Sequence, residues 1–299
     1  MQQSAHMKKF FNILFYLSIA VFIWYLTRID YLEFSGMQMN YWFVGLAVIF
    51  LWAGFYLSTQ SWWYALRIHK INISRRTALV SHGLSVFAKY IPGKVWVILG
   101  RASYIAKDTP ISGKDSSIVS LKEQLIYILW GLIISFFPLL KYDNAWYIPF
   151  LVFLTMVGIA LFLFLKPLHN LISRLVKRWF KKELNIPLLT VKGALQISGY
   201  IIAYWILWIA GFYFLLKGVY IDNAFLASFI FPISVVYGIL AIIIPGGIGV
   251  REGIIVSLLT LMGCDLATAT SFSILSRLWF ISGEVFVFLA ALIRRSDQH

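Results

Sequence analysis

The sequence predicts an all-α, polytopic membrane protein. It reads as one transmembrane domain over residues 1–299, with two inverted repeats at about 8–140 and 146–295. Each repeat would hold three spans and one re-entrant hairpin broken at Pro-Gly. Three observations predict this. The chain is 61% hydrophobic and only 13% charged, where a soluble domain carries about 25% charged residues. Apolar runs long enough to cross a bilayer recur along its whole length. Two of these runs are interrupted at matching places, by "YIPGK" at 90–94 and by "IIPGGIGVREG" at 244–254.

The first expected span is 9–27. It comes after Lys8 and Lys9, lacks a small-residue cleavage site, and has an apolar stretch too long for a removable signal. Residues 1–6 fit poorly with the basic and apolar stretch beginning at Met7, so Met7 is an alternative start. Further spans are expected at 41–66, 118–140, 146–165, 193–216 and 267–293, each with the twenty or so apolar residues a crossing helix needs. The segments 77–100 and 224–262 carry the breaks. The first has 24 residues, too few for two crossings at about 1.5 Å per residue, so it reads as a re-entrant hairpin. The second is longer, and its arm 224–244 is long enough to span alone.

Loop charges orient the set. Loop 67–76 holds Arg67, Lys70, Arg75 and Arg76 without an acid, and 166–192 holds seven basic residues against Glu183. Arg294 and Arg295 come after the last span. Basic loops stay on the cytoplasmic side, which places both termini there, in the plasma membrane. The connections 28–40, 141–145 and 217–223 are nearly neutral and face outward. Each broken segment must then return to the side it left. Pro92-Gly93 recurs as Pro245-Gly246 at an offset of 153 residues. Three crossings per half invert the second half relative to the first, an arrangement found in secondary transporters with a site at the repeat interface.

The net charge of +14 would suggest a nucleic-acid partner, but the basic residues sit in short loops beside apolar spans, and no phosphate loop or nucleic-acid module is visible. Cys264 is the single cysteine and the five histidines are scattered, so neither a disulfide, a metal site nor another cofactor is expected. The aromatic clusters at 42, 62–64, 146–147 and 204–208 read as interfacial belts. The basic amphipathic stretch 168–184 reads as a surface helix on anionic lipid, and His82 as a packing residue.

Irregular backbone inside lipid leaves polar groups unpaired at several kcal/mol each, and survives only when buried in protein or lining a wet cavity. After each Pro-Gly a short helix can begin, at Lys94 and near Val250. Its N-terminus offers free N–H donors and about half a positive charge, which suits an anion. Lys94 and Arg101, seven residues apart on one face, add charge in the first half, and Arg251 in the second. The plain alternative is a pair of tight turns with Lys94 and Arg101 snorkelling to the surface. Glu123, Glu252 and Glu284 lie within apolar segments, where a charge costs at least about 2.5 kcal/mol and so tends to be paired and functional. Arg277 shares a helical face with Glu284. A Glu123–Arg277 pair across the repeat axis is expected, and Glu252 would neutralise its neighbour Arg251. The bland reading of these acids is as structural ion pairs holding helices together.

The stretches "KYIPGKVWVILGR", "LKEQ", "PGGIGVREG" and "LSRLWFISGE", in this order and spacing, resemble the flippase-like transmembrane region of lysylphosphatidylglycerol synthases. The resemblance covers nearly the whole chain, and "PGGIGVREG" is its most specific piece. It implies movement of a phospholipid between leaflets. Aminoacyl transfer belongs to a separate soluble domain of the larger synthases and is not expected of these 299 residues. Stand-alone relatives are associated with glycolipid or envelope polysaccharide biosynthesis. Lys94, Arg101, Glu123, Arg251, Glu252 and Arg277 fall at the family's polar positions. Gln124 stands where the family usually has an arginine after the acid.

The expected function is a flippase, not an enzyme, for an anionic or polyprenyl-phosphate-linked lipid. Pro92, Gly93, Pro245, Gly246 and Gly247 would shape the two helix ends. Lys94, Arg101, Arg251 and Arg277 would bind the head group, with Glu123 and Glu284 holding the arginines and Glu252 beside them. Two alternatives stand: a scaffold for envelope-biosynthesis enzymes, and an intramembrane transferase acting on a lipid carrier. The short, acid-poor outer loops disfavour the second.

Overall fold

The computed structural model describes residues 38–91, 95–107, 109–141, 146–167, 190–242 and 244–296, with single positions at 13, 16, 17, 20 and 174. Apart from those single positions, the expected first span at 9–27 and the basic stretch 168–184 lie outside the described residues. So do Pro92, Gly93 and Lys94.

The described residues are all-helical, without a strand. The order is α1 (Tyr41–Ile68), α2 (Arg75–Leu84), a 3-10 turn at Val86–Tyr90, α3 (Trp96–Lys107), α4 (Gly113–Leu139), α5 (Tyr147–Phe164) and α6 (Val191–Gly218). Next come α7 (Ala224–Ala227), α8 (Ile230–Leu240), a 3-10 turn at Pro245–Gly247, α9 (Val250–Leu261) and α10 (Leu266–Ser296). Five helices are long and apolar enough to cross a membrane: α1, α4, α5, α6 and α10. They coincide with the expected spans at 41–66, 118–140, 146–165, 193–216 and 267–293. Local chemistry sets several helix starts. The side chains of Asn40, Ser74, Ser112, Thr190 and Asp265 accept the N–H of Trp42, Thr77, Asp115, Gly193 and Thr268 respectively, satisfying donors that open a helix. Ser112 explains why α4 begins five residues before its apolar run.

Helices in lipid associate through close packing and interhelical hydrogen bonds, because tails are as apolar as the side chains. α1 and α6 run antiparallel, with Asn40 N–H bonded to Gly218 O at one end (2.7 Å) and the rings of Tyr64 and Tyr200 in contact at the other. Gly54 of α1 lies so near Trp208 that a Cβ would meet the indole at 2.4 Å. Three buried indoles donate to helix carbonyls: Trp205 to Tyr127 O (3.1 Å), Trp208 to Leu51 O (3.2 Å) and Trp279 to Ala47 O (2.9 Å). The belt reading of the aromatics therefore divides. Trp42, Trp146 and Tyr147 are exposed near helix ends, whereas Trp62, Tyr204, Trp205 and Trp208 are buried. The difference is physical: a Trp whose N–H finds a carbonyl on a neighbouring helix can fill the core.

The described arms of the two broken segments start from opposite ends of the bundle. Arg76, in the first turn of α2, donates twice to Arg294 O near the end of α10 (2.9 and 2.6 Å). Further along α2, Gly83 packs on the Val287 carbonyl. α2 therefore climbs α10 from its C-terminal end. α3 packs back against α4, and the link 108–112 joins them. It reaches Lys107, past the expected limit of 100, because the charge of Arg101 is met inside the protein and does not end the arm. The second hairpin starts beyond Gly218, at the opposite end. The arm expected at 224–244 is divided into α7 and α8, the latter ending at Leu240, and α9 returns along α8.

Candidate functional site

Tyr90, two residues before the first Pro-Gly, meets the second break beside the middle of α10. Gly246 has φ +59 and lies against Tyr90, the residue that ends the first 3-10 turn; a Cβ there would come within 2.8 Å of the Tyr90 ring. Arg277 joins them. Its Nη2 donates to Gly246 O (3.0 Å), its Nη1 stands 3.3 Å from Glu252 Oε1, and its guanidinium lies 5.8 Å from the Tyr90 ring centroid. Gly247 has φ +69, and a Cβ on it would fall 2.8 Å from the Gly238 backbone. Only glycine meets both demands, a left-handed backbone and contact with another chain segment.

The helix beginning after the second break is α9, starting at Val250 as expected. Its N-terminus is capped by its own acid: Gly249 N–H donates to Glu252 Oε2 (2.7 Å). Glu252 thus bridges a helix N-terminus and Arg277. The sequence reading assigned it to Arg251, whose charge it also faces; the third position of the helix turns its carboxylate back over the first turn, onto the Gly249 N–H and Arg277.

Arg251 is 5% exposed and its Nε has no acceptor. It makes no ion pair with a described residue. Its guanidinium lies over Phe280 (4.4 Å) and more distantly over Phe231 (5.9 Å), contacts in which ring faces attract a cation. Gly238 leaves the space its side chain crosses, since a Cβ there would meet Arg251 Cγ at 2.5 Å. Lys89 approaches the same Phe280 ring (5.0 Å) and is paired with Glu284. Glu284 is fully buried and also accepts the Tyr90 hydroxyl (2.9 Å). The acid expected to hold an arginine holds a lysine and a tyrosine of the first break. Among the described residues, Lys89, Arg251 and Arg277 with Glu252 and Glu284 leave one positive charge in excess here.

A second buried polar cluster lies between α1, α3 and α4. Arg101 is 3% exposed; its Nη1 pairs with Glu123 Oε2 (2.7 Å), its Nε and Nη2 donate to Ser120 Oγ and O (2.6 and 3.1 Å), and its guanidinium stacks over Trp62 (4.4 Å). Ser61 donates to Glu123 Oε1 (2.8 Å). The expected Glu123–Arg277 pair is replaced by Arg101–Glu123, because α3 and α4 are antiparallel neighbours and bring these two side chains together. Tyr204 and Tyr127, with ring centroids 5.8 Å apart, belong to the aromatic packing at this level, where Tyr127 also stacks on Trp205 (4.6 Å).

Several members of these clusters escaped the sequence reading. Lys89 and Tyr90 shortly precede the first Pro-Gly, and a lysine inside an apolar hairpin was a usable signal. "STQS" at 58–61 is a polar run within an apolar span, and all four side chains are buried. His82 lies beside Ser58 Oγ (3.5 Å), while its Nδ1 has no partner. Among the described residues no group of three or more His, Cys, Asp or Glu could hold a metal ion.

The family model described as the lysylphosphatidylglycerol synthase TM region matches residues 11–281 of the chain. No curated protein and no solved structure matches.

Proposed function

The chain belongs to the lysylphosphatidylglycerol synthase transmembrane-region family, and from that premise we propose that it is a lipid translocator whose central cations receive an anionic head group. It is a multi-pass membrane protein, and the family points to lipid or envelope metabolism. The observation that carries the finer reading is that Arg277 joins the second break to Tyr90, two residues before the first, beside a buried Arg251 whose Nε has no partner. An arginine at that depth is expensive, and a negative ligand offsets the cost. A phosphate on a phospholipid or a polyprenyl carrier fits, because a guanidinium can donate to two of its oxygens at once.

In this reading the halves are inverted repeats in the plasma membrane, with the basic loops and both termini cytoplasmic. Rocking of one half against the other would expose the central cations to each leaflet in turn while the tails stay in lipid. Arg101, saturated by Glu123 and Ser120, positions α3 against α4, and Lys94, outside the described residues, is proposed as a further head-group cation. A scaffold for envelope enzymes would not require a buried arginine with an unpartnered donor.

Lipid mass spectrometry of gently purified protein tests the proposal. The wild type should retain anionic phospholipid or polyprenyl phosphate above its share of the membrane, and Arg251→Ala should lose that enrichment. Equal lipid composition in the two proteins would exclude a head-group site at Arg251.

A further inference from the structure

The three ion pairs among the described residues differ in how firmly they are held. Arg101–Glu123 closes at 2.7 Å with the acid's side chain 6% exposed. Glu284, at 0% exposure, is held by both Lys89 and Tyr90. Glu252 is the exception: it stands 3.3 Å from Arg277, its side chain is 23% exposed, and its other oxygen accepts only the Gly249 N–H. This acid occupies two features that favour an incoming anion, the N-terminus of the twelve-residue α9 and the guanidinium of Arg277. Its neighbour Arg251 is buried with Nε unpartnered. A third donor to an anion is thus held beside a carboxylate already satisfied by others.

We infer that Glu252 is a displaceable internal anion: a phosphate oxygen of the head group takes its place on Gly249 N–H and Arg277, while Arg251 binds a second oxygen. This rests on the translocator reading and adds a regulatory element to the same site. The empty centre keeps a counter-charge at Arg277, so the cations are not left bare between cycles. The carboxylate competes with the phosphate, which weakens binding and hastens release to the far leaflet. A phosphate diester in a lipid and free phosphate share this chemistry, and the test separates them.

Purified wild type, Glu252→Gln and Arg251→Ala are titrated in detergent with dioctanoyl-phosphatidylglycerol and, separately, with inorganic phosphate, monitored by tryptophan fluorescence. Glutamine keeps an acceptor for Gly249 N–H and removes the competing charge. Glu252→Gln is expected to bind the lipid about tenfold more tightly than wild type, and Arg251→Ala more weakly than either. Glu252→Asp, too short to span both partners, should fall between wild type and glutamine, and provides the answer if the glutamine variant does not fold. Equal or weaker lipid binding by both Glu252 variants, with wild-type binding intact, would overturn the exchange and leave the translocator standing. Absence of lipid binding in every protein would overturn both. Tightening for phosphate but not for lipid would support the exchange and overturn the lipid reading.

Discussion

Arg277→Ala is expected to lower stability more than any other single change at the centre and to abolish transport. The side chain holds the Gly246 carbonyl, faces the Glu252 carboxylate and approaches the Tyr90 ring, so it ties the second break to the 3-10 turn before the first. Truncation leaves a carbonyl without its donor and an acid without its cation. Removing one partner of a buried pair costs about 3–5 kcal/mol; Glu252 is partly exposed, which puts this case near the lower end. The thermal midpoint in detergent should fall by several degrees, and lipid movement should drop to the protein-free background. Arg277→Lys keeps the charge but lacks the fork that reaches Gly246 and Glu252 together, so it should recover part of the stability and little of the transport. A wild-type midpoint and wild-type transport in Arg277→Ala would show that other contacts hold the second break to that turn.

Glu123→Ala is the second large effect, and it separates structure from transport. Arg101 is buried between Glu123, Ser120 and the Trp62 ring, and loss of the acid strands a full charge at a cost of about 3–5 kcal/mol. The double variant Arg101→Met, Glu123→Leu removes both charges, and such replacements are often neutral. Its thermal midpoint should return most of the way to wild type. If Arg101 only positions α3 on α4, transport returns with stability. A double variant that regains its midpoint but still fails to move lipid would make Arg101 part of the head-group path.

The fold was legible because lipid imposes simple demands. A run of about twenty apolar residues must become a helix, and the five described spans fall where hydropathy puts them. The breaks were legible because Pro and Gly inside such a run have few other uses. Pairing was harder to see. Spacing along one helix shows which side chains share a face, but Glu123 meets Arg101, and Glu284 meets Lys89, through contacts between separate elements of the fold. The Glu252 cap was visible in principle, since an acid three residues after a glycine at a helix start is a capping pattern. Arg251 beside it drew the assignment instead. Trp62, Trp205 and Trp208 were misplaced for a related reason: whether an indole faces lipid or core depends on which acceptor its N–H can reach, and the sequence alone does not tell.

The central claim is that the buried Arg251, beside the second break, carries lipid head groups across the bilayer. Vesicles reconstituted with purified protein and fluorescently tagged phosphatidylglycerol test it most directly, with a quencher added outside to report the fraction of tagged lipid that reaches the outer leaflet. Wild type should expose inner-leaflet label within minutes, faster than it exposes tagged phosphatidylcholine, and Arg251→Ala should match protein-free vesicles. Equal rates for wild type and Arg251→Ala, or no movement of any anionic lipid by wild type, would contradict the account.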